Sequence, residues 1–138
     1  MWFIDLVTAT LTKYIRVFVT KKLLIIGYVW PEPNSSAAGS RMLQLIELFL
    51  SYNYTITFAS PCAKSDKAFN LETIGVKQVA IELNNVSFDV FVKTLDPQIV
   101  FFDRFMMEEQ FGWRVAEQCP NAIKILDTED LHGLRKGR

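Results

Sequence analysis

Apolar and polar positions along the chain change rhythm in a repeating order. Lys22-Leu-Leu-Ile-Ile-Gly-Tyr-Val-Trp30 is a short apolar run, the pattern of a strand buried on both faces. Pro31 to Ser40 then collects Pro, Asn, Ser and Gly, the residues of irregular turns. Beyond it, Met42, Leu45, Ile46 and Phe49 fall at helical spacing up to Leu50 with no breaker between them. Strand, small-residue loop and helix form the unit that, in α/β proteins, sets a helix N-terminus where a ligand can sit.

The same alternation continues to the end of the chain. Tyr54 to Ser60 is β-branched and aromatic, closes at Pro61 and predicts a second strand. Ala63 to Glu72 is polar and predicts a loop with a helical turn. Lys77 to Leu83 alternates as a third strand, Asn84-Asn85 turns the chain, and Ser87 is placed to cap a helix over 88–95. Pro97 ends that helix. Gln98 to Phe102 is the fourth strand, apolar from Ile99 onward, with Asp103 and Arg104 at its carboxyl end. A helix over 105–119 follows, with Met107, Phe111, Val115 and Cys119 on one face, and Gly112 inside it suggests close packing. Ala122 to Leu126 is the fifth strand, and Asp127 to His132 lies just past its end.

Five strands alternating with helices or loops predict an α/β fold: a Rossmann-like parallel sheet with helices on both faces and strand order 3-2-1-4-5. In such sheets ligands bind beyond the carboxyl ends of the strands, at the switch between strands 1 and 4. Three polar groups are predicted to meet there: the loop Trp30 to Ser40, the pair Asp103 and Arg104, and the run Asp127 to His132.

Composition narrows the chemistry. At 138 residues, half of them hydrophobic and eleven of them Phe, the chain suits one domain with a real core. Fifteen basic and fifteen acidic residues balance, which argues against a dedicated nucleic-acid binder. Cys62 and Cys119 are far apart and form no CxxC pair, so two free thiols in a reducing cytoplasm is the plain reading. In Met1 to Thr20, Asp5, Lys13 and Arg16 interrupt the apolar residues, so no run reaches the ~18 of a membrane span. Residues 1–20 read either as an extension ahead of the domain or as an amphipathic helix packed on the domain or on a membrane surface.

Each candidate residue carries an ordinary reading beside the functional one. The loop lacks GxGxxG and GxxxxGK[ST], so neither a dinucleotide fingerprint nor a P-loop is present. Backbone N–H groups at Gly39, Ser40 and Arg41 would suit a phosphate or carboxylate, with Arg41 adding charge; Arg41 reads equally as one half of a surface ion pair. Arg104 reads best as a local ion pair with Asp103. Asp127, Glu129, Asp130 and His132 have metal-type side chains, but consecutive residues point in different directions, so no metal site is expected. His132 is the single histidine, so imidazole acid–base chemistry rests on it alone.

Three segments together resemble one family. Lys22 to Pro33 followed by Ala37-Ala-Gly-Ser-Arg-Met-Leu-Gln-Leu45 is similar to the opening of GT-B-fold glycosyltransferases of family 4, the group 1-like transferases. Phe102 to Val115 and Ile125 to Arg135 resemble the fourth and fifth strand regions of the same enzymes, so the likeness spans 21–138. It implies the acceptor-side half of a two-domain enzyme that transfers sugar from a nucleotide-sugar donor, without a catalytic metal, to a sugar, lipid or protein acceptor. The second domain would be supplied in cis or in trans, beyond Arg138. By position, Gly39, Ser40 and Arg41 would approach the donor phosphates, while Asp103 and His132 would face the acceptor. One departure is that Ala37-Ala38 precede a single Gly39 where the family often has paired glycines. The other reading is a non-catalytic α/β binding module, flavodoxin-like or a partner subunit.

Overall fold

The computed structural model describes residues 21–127; the segment 1–20 and residues 128–138, His132 among them, lie outside the described residues. Five strands form one all-parallel sheet in the order β3-β2-β1-β4-β5. They are β1 (Lys22–Ile26), β2 (Thr55–Ser60), β3 (Lys77–Ala80), β4 (Ile99–Phe102) and β5 (Ile123–Leu126). Between them run α1 (Ala37–Ser51), a single 3-10 turn (Leu71–Ile74), α2 (Val86–Leu95) and α3 (Phe105–Gln118). This is the α/β Rossmann-like fold that the sequence pattern predicts.

The apolar run of β1 is explained by its central place. Leu23 and Ile25 point into a cluster with Met42 and Ile46 of α1, Ile56 and Phe58 of β2, and Leu71 and Val76. Leu24 and Ile26 point the other way, into a cluster with Phe88 and Val92 of α2 and Met107, Phe111 and Val115 of α3. All four β1 side chains are fully buried. Each stabilises the fold by about 1.5–3 kcal/mol through burial alone. The alternation of in and out therefore becomes an alternation between two cores.

Several element ends differ from the sequence expectation, and three of them have a clear local reason. First, α1 begins at Ala37 rather than after Ser40, because Ser36 is its N-cap and accepts from the Gly39 N–H. Second, α2 starts at Val86 with Asn85 as its cap, the Asn85 side chain accepting from the Ser87 N–H. Ser87 is thus inside the helix and not its cap. Third, β3 ends at Ala80, short of Leu83. Its partner β2 ends at Ser60, whose carbonyl takes the Ile81 N–H, and Pro61 has no N–H to extend the ladder.

Candidate functional site

The carboxyl edge of the sheet is held in register one residue past each strand. Gly27 donates to the Ala59 carbonyl at 2.8 Å, Asp103 to Ile26 at 2.9 Å and Asp127 to Phe102 at 3.0 Å. Those bonds fix the loop after β1, the pair Asp103 and Arg104 after β4, and Asp127 after β5 along one rim. The switch between β1 and β4 lies in the middle of it, where the chain leaves toward opposite faces.

The loop after β1 is braced rather than slack. Trp30 is buried, packs 5.5 Å from the Phe58 ring and donates its indole N–H to the Cys62 carbonyl. The Pro31 carbonyl takes the Phe69 N–H, and Glu32 Oε2 accepts the Ser65 hydroxyl at 2.6 Å. The Glu32 carbonyl receives both Ser35 and Ser36 amides, a tight turn that delivers Ser36 to the head of α1. Gly39 is buried against this turn.

Two shallow cavities flank Asp103 on this rim. One, of about 280 Å³, lies among Trp30, Glu32, Ser36, Gly39, Asp103 and Arg104. The other, of about 290 Å³, lies among Arg41, Gln44, Leu45, Phe101, Asp103 and Asp127. Ala38, Met42 and Asp103 line both, so the two are neighbouring lobes separated by one turn of α1. A larger hollow of about 570 Å³ opens at the opposite, amino edge of the sheet around Asp96, Gln98 and Asn121. Its size does not make it the site, because the strand ends there carry none of the converging groups.

The site residues predicted from the sequence divide between these lobes. Asp103 sits at their junction, half-buried. Gly39 lines the first lobe, Arg41 the second, and Ser40 neither. The free amides expected at Gly39 and Ser40 are already engaged, Gly39 by the Ser36 hydroxyl at 3.0 Å and Ser40 by the Ser36 carbonyl at 3.2 Å. Those two amides are therefore not the free donors expected, and Gly39 packs against the Glu32 backbone at the helix head. Arg41 follows its ordinary reading, with an exposed guanidinium 3.5 Å from the Asp127 carboxylate. Among the described residues no three His, Cys, Asp or Glu side chains gather as a metal site.

Arg104 departs most from expectation. It makes no ion pair with Asp103 or with any other described residue. Its guanidinium instead lies over the Tyr28 ring, 4.8 Å from the centroid. The sequence gives no sign of this, since Tyr28 reads only as part of an apolar run.

No protein-family model, curated protein or solved structure matches the chain. Among the described residues no helix is long and apolar enough to cross a membrane. The chemistry of the rim therefore rests on its own geometry. It offers carboxylate acceptors at Glu32 and Asp103, a guanidinium donor at Arg104, a hydroxyl at Ser36 and apolar surface from Val29, with only the edges of Trp30 and Met42 behind it. That set suits a ligand with both hydroxyl groups and hydrophobic faces.

Proposed function

We propose that this domain is the acceptor-side half of a glycosyltransferase, working with a second domain in cis or in trans that holds the nucleotide-sugar donor. The observation that carries the proposal is the double-lobed cavity centred on Asp103 at the β1–β4 switch point. The resemblance of three segments of the chain to family 4 GT-B enzymes favours the same reading. A sugar ring presents hydroxyls that donate to carboxylates and accept from a guanidinium, and C–H faces that can rest on Val29. In the transfer, an acceptor hydroxyl oxygen forms the new bond to the anomeric carbon. The nucleoside diphosphate leaves with the electron pair of the broken bond, and the hydroxyl proton passes to a base. Asp103 is the proposed acceptor-side carboxylate, with His132 as a second group, and Arg41 is proposed to stand nearest the donor. The protein is proposed to act in the cytoplasm, in keeping with free thiols at Cys62 and Cys119.

The test is sugar transfer from nucleotide-sugar donors, measured for the chain alone and with the polypeptide encoded beside it. Transfer that appears only with the second polypeptide supports the proposal. In that active form Asp103→Asn is expected to lower kcat by about 100-fold or more, and Arg41→Ala to weaken donor-dependent turnover. No transfer in either arrangement leaves a non-catalytic binding module as the better reading.

A further inference from the structure

Four non-glycine residues in the described structure have positive φ: Asn53, Asn84, Asp96 and Arg104. The first three are Asn or Asp, the side chains that tolerate this region by local hydrogen bonding. Arg104 has no such excuse, and its φ of 80° with ψ of 150° falls where essentially only glycine is at ease. It is also the N-cap of α3, yet its side chain makes no capping bond. Its Nε is buried without an acceptor. Arg114 has a similar Nε, but its Nη1 is committed to Asp89 at 2.9 Å, and Arg104 has no such partner. Three separate local rules fail at one residue, and that residue sits in the cavity at the switch point.

The carboxylates nearby do not resolve the guanidinium. Glu32 faces the same lobe but takes the Ser65 hydroxyl, and no ion pair joins Arg104 to Asp103. The Tyr28 ring lies beside the guanidinium, 4.8 Å from its carbon, and the Arg104 side chain lines the cavity. A planar fork of N–H donors fits an oxyanion in two-point fashion. The head of α3 at the same residue adds a favourable dipole.

We infer that Arg104 binds an oxyanion carried on the acceptor, so that the ligand of this lobe is an anionic sugar: a sugar phosphate or a uronate rather than a neutral one. The inference rests on the glycosyltransferase reading for the sugar part and on Arg104 alone for the anionic part. The strained backbone persists because a glycine, the residue the conformation favours, would have no side chain to hold the ligand.

The test is calorimetric titration of the full chain with hexose 6-phosphate, hexuronate, uncharged hexose and inorganic phosphate, on wild type and Arg104→Gly. Glycine suits both the positive φ and the N-cap position, so the variant is expected to fold with a Tm unchanged or raised by about 2–8 °C. Wild type is expected to bind an anionic hexose at least about 10-fold more tightly than the uncharged one, and R104G to lose that margin. Arg104→Lys, with charge but no planar fork, is expected to recover only part of it. Equal affinity for charged and uncharged hexose overturns the inference and leaves the acceptor reading intact. Arg104-dependent binding of inorganic phosphate without any hexose binding keeps the oxyanion site and removes the sugar acceptor. Unchanged affinity in R104G, or no binding of any probe to wild type, overturns the inference outright.

Discussion

The backbone of Glu32 passes 2.7 Å from the point where a Cβ on Gly39 would stand. The loop after β1 and the head of α1 are thus pressed together main chain to main chain, and rigid backbone cannot yield to a methyl group. Gly39→Ala is expected to destabilise the fold by about 1–3 kcal/mol, as overpacking does. Urea unfolding followed by far-UV circular dichroism measures it, and a midpoint equal to that of wild type would refute the packing role.

Gly112 makes an informative contrast. The nearest atoms that a Cβ there would meet all belong to the Glu108 side chain, the closest being its carboxylate oxygen, 2.6 Å away. That end of a flexible side chain can swing aside. Gly112→Ala is therefore expected to be neutral or to stabilise by up to about 1 kcal/mol, from helix propensity. The same unfolding curves decide between the two glycines.

One nitrogen ties α2 to α3. Arg114 Nη1 donates to both Asp89 oxygens, at 3.0 and 2.9 Å, with the two side chains 11% and 17% exposed. Little water screens the pair, yet neither member is fully removed from it. Asp89→Ala is expected to destabilise by about 1–3 kcal/mol, between the exposed and the buried limits. A double-mutant cycle with Arg114→Ala should return a coupling of about 0.5–2 kcal/mol; zero coupling would show the contact to be incidental.

The two thiols should behave oppositely. Cys119 is buried beneath α2, and burial, with a smaller push from the Asp96 charge, raises its pKa. Cys62 is exposed. A thiol reagent at neutral pH is expected to modify Cys62 promptly and Cys119 only on unfolding. Because the folded state holds the Cys119 proton more tightly than the unfolded chain, its contribution is complete below the ordinary thiol range. It is lost as pH rises through the higher folded value. Stability is therefore expected to decline above about pH 9, less so in Cys119→Ala.

Strand order was legible because β1 and β4 are nearly pure apolar runs and their helices keep one apolar face. A buried central strand has little freedom in what it displays. The head of α1 was not legible, since Ala37 and Ala38 read as loop next to Asn and Ser, and only the Ser36 cap turns them into helix. Asn85 and Ser87 both suit a cap, and their two-residue spacing left the choice to the turn at Asn84. In the site, Asp103 could be placed because it follows an apolar strand directly. The conformation of Arg104 could not, because a side chain's identity does not encode a φ that it dislikes. Its isolation from Asp103 likewise depends on where Tyr28 stands.

The central strand belongs to two cores at once, Leu23 and Ile25 to one and Leu24 and Ile26 to the other. Neither side of the sheet can open without leaving β1 with one face in water, so local opening there becomes global unfolding. Its amides should exchange hydrogen for deuterium only through the full unfolding reaction, while those of the edge strand β3 exchange through smaller openings. A defect on the α1 side would then be felt in the exchange rates of α2 and α3, although α1 adds no apolar side chain to their cluster.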